Sequence, residues 1–111
     1  MTTLKDVQQE IEKQLSESQW FNQSHEIDLT HSIIGIVEEA GELSGLLKKQ
    51  YFRHKEKTDE EWIGEFGDVL WYLVAAISLK GYSLEDVWSF NCSKLLERHN
   101  SGMKNNKSWE G

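Results

Sequence analysis

The sequence predicts an all-α fold, an antiparallel bundle of about four helices. Apolar residues recur at spacings of three and four in four separate segments, the period of a helix stripe. No run alternates with period two between turn signals, so no strand is expected. Proline is absent, which suits long uninterrupted helices. At 111 residues the chain reads as one domain, 1–111. That length buries a core without staples, yet is short enough that oligomerisation would help.

The first helix is expected from about Thr3 to Ser16, with Leu4, Val7, Ile11 and Leu15 as its stripe. The polar stretch "SESQWFNQSHE" follows and reads as a loop pinned by Trp20 and Phe21. The second helix spans about Asp28 to Arg53, capped by Asp28 or Thr30. Its apolar face is Ile33, Ile34, Val37, Ala40, Leu43, Leu46 and Leu47. The charged run "RHKEKTDEE" ends that pattern. Thr58 and Glu61 then form a capping box, with Asp59 and Glu60 favourable in the first turn. The third helix carries Trp62, Ile63, Phe66, Val69, Leu70, Leu73, Val74 and Ile77, and Gly81 stops it. Ser83 caps the fourth, which carries Leu84, Val87, Trp88, Leu95 and Leu96 and ends near His99. The tail from about residue 100, "SGMKNNKSWEG", reads as polar and mobile.

The net charge of −7, from 12 basic and 19 acidic residues, does not attract a nucleic-acid polymer by bulk electrostatics. The single cysteine, Cys92, rules out a disulfide framework or a cysteine metal cluster. A reducing, cytoplasmic setting is the expectation. The start, "MTTLKDVQQEIEKQL", is neither a signal nor a transit peptide. No apolar stretch approaches the roughly 20 residues that span a bilayer, so no membrane partner is expected.

Chemistry enters with "GIVEEAGELSGLL", residues 35–47, where Glu38, Glu39 and Glu42 sit among apolar neighbours. Residues three and four apart share a helix face, so Glu42 can converge with Glu38 or Glu39. In "GEFGDVLWYL" Glu65 and Asp68 repeat the spacing. The charged connection returns the chain antiparallel, so the two acidic pairs can face each other. Facing carboxylates repel unless a hard divalent cation joins them, Mg²⁺ first and Mn²⁺ as a substitute. Spacing alone leaves a solvated acidic face open beside the metal site.

The pair "EEAGEL" and, 22 residues on, "EFGD" resembles the EExxE…ExxD signature of the MazG-like nucleotide pyrophosphohydrolases, an all-α group. "HSIIGIVEEAGELSGLLKK", "GEFGDVLWYLVAAI" and "YSLEDVWSFNCSKLLERH" extend the resemblance over roughly residues 28–102. It implies Mg²⁺-dependent hydrolysis of nucleoside triphosphates to the monophosphate and pyrophosphate, in the service of nucleotide-pool house-cleaning. It also implies a homodimer or homotetramer whose paired subunits complete the sites. Carried over by position, Glu39, Glu42, Glu65 and Asp68 are the metal ligands, and Glu38 a ligand or water-activating group. No nucleophilic side chain is needed.

Around this motif, Asn91, Lys94 and Arg98 share one face of the last helix. The resemblance puts Lys94 on phosphate and Asn91 on sugar or base. Arg98 either joins them or forms an exposed salt bridge. Tyr72, one turn beyond Asp68, reaches substrate or is a core tyrosine. His31, two turns before Glu38, is a substrate residue or a structural histidine. Trp20 is the candidate for stacking on a base. Lys48 and Lys49 touch phosphate or end a solvated helix. Related proteins commonly follow the last-helix arginine with Tyr-Pro and a Gly-Phe; here the chain reads "RHNSGMKNNK". Two other classes compete: a non-catalytic helical interaction module, and a carboxylate-bridged metal-redox bundle. The latter wants Glu-x-x-His pairs, and Asp68 stands where the histidine should be.

Overall fold

The computed structural model describes the backbone of residues 1–104 and the side chains of residues 1–102. It holds four helices: α1 (Leu4–Glu17), α2 (His25–Phe52), α3 (Asp59–Leu79) and α4 (Leu84–Lys104). Among the described residues there is no strand. Two starts follow from capping boxes, Thr3 with Asp6 on α1 and Thr58 with Glu61 on α3. Ser83 accepts from the Asp86 N–H at 3.1 Å and opens α4.

Two boundaries differ from expectation. The second helix starts three residues early, because Ser24 rather than Asp28 or Thr30 accepts the first-turn N–H, from Ile27. Asp28 is thereby freed for another task, described below. The fourth helix continues past His99 to Lys104, so the first part of the expected mobile tail is helical. The remainder of that tail lies outside the described residues.

The third helix is the centre of the chain, with α1 and α2 both packed on it. Gly35 of α2 meets Tyr72 of α3, and one turn further on Glu39 meets Asp68, one turn earlier on α3. The two helices therefore run antiparallel. The same logic holds for α1. Gln8 bonds Ser78 at 2.9 Å, and later on α1 Gln14 accepts from Trp71, earlier on α3, at 2.6 Å. Among the described residues α4 packs on α1 and α3 but not on α2.

The core lies between α1 and the second half of α3. Ile11, Leu15, Phe21, Val74 and Ala75 are buried together, with Val7, Trp71, Tyr72, Leu79 and Leu84 against them. Full burial of a side chain such as Val74 stabilises by about 1.5–3 kcal/mol. Gln8 is the polar pin of this core. Its amide donates to Ser78 Oγ and to the Tyr82 carbonyl, and its oxygen accepts from the Leu84 N–H at 2.8 Å.

The apolar faces expected on α2 and α3 are largely outward in the single chain. Ile33, Ile34, Val37 (68% exposed) and Leu47 on α2 are uncovered, as are Ile63 (68%), Phe66 (57%), Leu70 and Leu73 on α3. The residues of α2 buried within the chain are instead Asp28, Ser32, Gly35 and Leu46, with Glu39 half-buried among them. Helices that are apolar nearly all round bury one face inside the chain and leave the other for something else. One consequence corrects the sequence reading. By length and composition alone α3 is a helix long and apolar enough to cross a membrane, and only 17% of that stretch is buried within the chain.

Candidate metal centre

Glu39 comes from the middle of α2, and Glu65 and Asp68 from one face of α3. Each offers a carboxylate oxygen, and these oxygens lie within 4.8 Å of one another. The antiparallel pairing causes the meeting, since the turn that separates Glu39 from Gly35 matches the turn between Asp68 and Tyr72. Glu39 and Glu65 are half-buried and Asp68 is exposed.

The electrostatics of this meeting are unfavourable for the chain alone. Burial pushes the Glu39 carboxyl above the ordinary glutamate range. The charges of Asp68, Glu65, Glu42 and Glu38 push it further in the same direction. One oxygen of Glu65, Oε2, is buried with no hydrogen-bond partner among the described residues. A buried acceptor left unmade costs on the order of 1–3 kcal/mol, more when charged. A hard divalent cation satisfies both conditions, because it cancels the repulsion and accepts the orphan oxygen as a ligand. Among the described residues no histidine or cysteine joins the cluster, so its donor set is all oxygen. An all-oxygen donor set suits a hard divalent cation.

The other expected residues fall into three groups. Glu38 and Glu42 are exposed on α2 and lie outside the tight trio, but both are close enough for their charges to act on Glu39. Tyr72 is brought to the cluster: burial raises its phenol above the usual range, and Glu39, Glu38 and Asp68 add to the shift. Its ring fills the place that a side chain at Gly35 would occupy. His31 is half-buried, stacked on Phe21 and tilted 6.0 Å from Tyr72, so it extends the same wall. Trp20 does not pin its loop, being 71% exposed; the neighbouring Phe21 is the buried ring.

Among the described residues Asn91, Lys94 and Arg98 do not join the carboxylate cluster, and no basic group of α4 acts on Glu39. Asn91 and Lys94 line a surface groove of about 590 Å³ with Tyr82, Val87 and Phe90. Arg98 is exposed further along the helix, and Lys48 and Lys49 are exposed near the end of α2.

Sequence reasoning missed Gly35 and the task of Asp28, whereas Phe21, expected to pin the loop, is the buried ring there. A glycine inside a helix costs about 1 kcal/mol against alanine, but Gly41, Gly45, Gly64 and Gly67 share that trait without a close neighbour among the described residues, so it did not single out Gly35. The role of Asp28 was hidden by its fitness as a cap.

Residues 28–103 match the family model of the MazG nucleotide pyrophosphohydrolase domain. The chain belongs to the MazG nucleotide pyrophosphohydrolase family. No curated protein and no solved structure matches it. Both acidic motifs, and all three members of the tight trio, lie inside the matched MazG domain, whereas α1 lies outside it. MazG membership carries nucleotide pyrophosphohydrolase activity at family level, and metal dependence is typical of the family.

Proposed function

We propose that this MazG protein is a Mg²⁺-dependent nucleoside triphosphate pyrophosphohydrolase that clears unwanted or excess (d)NTPs. The observation that carries this reading is the convergence of Glu39, Glu65 and Asp68 from two antiparallel helices, with one buried oxygen unpartnered.

Glu39, Glu65 and Asp68 hold the cation, and Glu42 completes the set. The bound Mg²⁺ supplies charge neutralisation for the triphosphate and lowers the pKa of water. Glu38 is exposed beside the trio and is the carboxylate left to accept a proton from the attacking water. The water oxygen bonds to the α-phosphorus, the bond from that phosphorus to the bridging oxygen breaks, and pyrophosphate leaves. Tyr72 and His31 flank the site and orient the nucleotide.

The working unit is a homodimer or homotetramer. Uncovered Val37, Ile63 and Phe66 give it an apolar surface to bury. An α4 from another copy then supplies Asn91, Lys94 and Arg98. The apolar length of α3 serves this assembly rather than a bilayer, since Glu65 and Asp68 sit in its middle. The protein acts in the cytoplasm and on free nucleotides rather than on a nucleic-acid polymer.

The test is incubation with the eight common NTPs and dNTPs and Mg²⁺, with separate assays for pyrophosphate and orthophosphate. Pyrophosphate with the monophosphate is expected, and Glu42→Gln abolishes it with helicity retained. Orthophosphate alone would contradict attack at the α-phosphorus. No release of either would leave a helical interaction module.

A further inference from the structure

The segment between α1 and α2 is built with more order than a connection needs. Both oxygens of the buried Asp28 carboxylate are used on it. Oδ2 accepts from the Asn22 N–H and Oδ1 from the Gln23 N–H, each at 3.1 Å. Asn22 itself stands in the left-handed region, with φ of 71°. Its side-chain amide donates to the carbonyls of Leu15, Ser16 and Ser18, each at 3.2 Å, which ties the turn to the end of α1. The turn is thus held at both ends by charge-assisted or multiple hydrogen bonds.

Phe21, immediately before this turn, is 5% exposed. Its ring lies parallel to His31, with centroids 4.3 Å apart and planes 4° apart. The far side of the same wall is Tyr72, whose phenol feels the charges of Glu39, Glu38 and Asp68. His31 also lines a surface cavity of about 390 Å³ with Glu26, Ile27 and Thr30. The imidazole therefore stands between the Phe21 plate and open surface space, with the Tyr72 ring between it and the carboxylates.

We infer that Asp28 is a positioning residue: by clamping the Asn22–Gln23 turn it sets Phe21 against His31 and so fixes the imidazole where the nucleoside end of a substrate lies. The clamp needs no contact between Asp28 and the nucleotide. Its kinetic consequence rests on the pyrophosphohydrolase reading, but its structural half does not.

The experiment compares the parent protein with Asp28→Ala, Asp28→Asn, Phe21→Leu, His31→Ala and Asp28→Ala/His31→Ala. The first readout is the imidazole Cε1–H resonance of His31, identified by its loss in His31→Ala. Stacking on Phe21 places it upfield of the other histidines in the parent. Asp28→Ala and Phe21→Leu move it downfield, and Asp28→Asn, which keeps one acceptor, falls between. Phe21→Leu keeps a buried apolar side chain, so it reports even where Asp28→Ala folds poorly. The second readout is steady-state kinetics on whichever of the eight common triphosphates the parent hydrolyses fastest. Asp28→Ala and His31→Ala raise KM about tenfold with kcat little changed, and the double variant is no worse than His31→Ala alone. A His31 resonance that stays in place overturns the proposal. So does an unchanged KM in His31→Ala, or additive losses in the double variant. A parent that hydrolyses none of the triphosphates removes the reading of the reaction instead, and the resonance then decides the clamp.

Discussion

The Tyr72 ring occupies the space that any side chain at Gly35 would need. It can lie against α2 only because position 35 has no Cβ. Gly35→Ala should therefore cost about 1–3 kcal/mol by overpacking and displace the phenol from the carboxylates. Urea denaturation measures the first effect and loss of pyrophosphate release the second. Gly41 is the control, since a Cβ there has nothing within 4 Å among the described residues. Gly41→Ala should gain about 0.5–1 kcal/mol of helix stability. A loss at Gly41 would mean that another subunit packs against it.

Glu65→Gln should separate activity from stability. The buried Oε2 is unpartnered and the neighbouring carboxylates repel, so removing one charge relaxes the ion-free protein. Thermal melting without divalent cations should rise by about 4 °C, the shift expected from about 1 kcal/mol in a domain of this size. Activity with Mg²⁺ should fall by at least about 100-fold, since this change removes a proposed ligand rather than an outer partner. Unchanged turnover would take Glu65 out of the site.

The pH dependence follows from Glu39, whose carboxyl is held above the ordinary 4.5 by burial and then by Asp68, Glu65, Glu42 and Glu38. A raised carboxyl means that the folded chain binds a proton more readily than the unfolded one. Stability of the ion-free protein should thus fall as pH rises from about the ordinary value through the folded one. Mg²⁺ should reverse that loss, so its stabilisation is larger at about pH 7.5 than at about pH 5. Melting curves at both pH values, with and without Mg²⁺, check the sign. Glu39→Gln should flatten the dependence.

The uncovered faces make a prediction of their own. Phe66 and Ile63 are more than half exposed on the helix that also carries Glu65 and Asp68. Sedimentation should show the parent above the mass of one chain. Phe66→Lys should shift it toward one chain and cost activity, because Asn91 and Lys94 no longer reach the carboxylates. A parent that sediments as a single active chain would refute the assembly.

The helices were legible because capping and periodicity are local. Thr58 with Glu61 marked the start of α3 directly, and Leu4, Val7, Ile11 and Leu15 marked the stripe of α1. The acidic trio was legible because two short spacings on adjacent antiparallel helices leave few ways to meet. What stayed hidden depended on facts that no single helix carries. Val37 and Ile63 read as core, since an apolar face looks the same whether its own chain or a neighbour covers it. Asp28 read as a cap, and only its hydrogen bonds from Asn22 and Gln23 show that its carboxylate turns backward. The separation of Asn91 and Lys94 from the carboxylates depends on how α4 leaves α3, which no spacing encodes.

Gln8 bonds to Ser78, Tyr82 and Leu84, partners that lie 70 to 76 positions away along the chain. Loop closure over such a span is entropically expensive, whereas the α2–α3 hairpin closes through a short connection. During synthesis the hairpin is expected to form first, and α1 waits as an undocked amphipathic segment until the turn after α3 has emerged. The N-terminal helix, although made first, then docks after the hairpin, and Gln8 latches it to the turn that leads into α4.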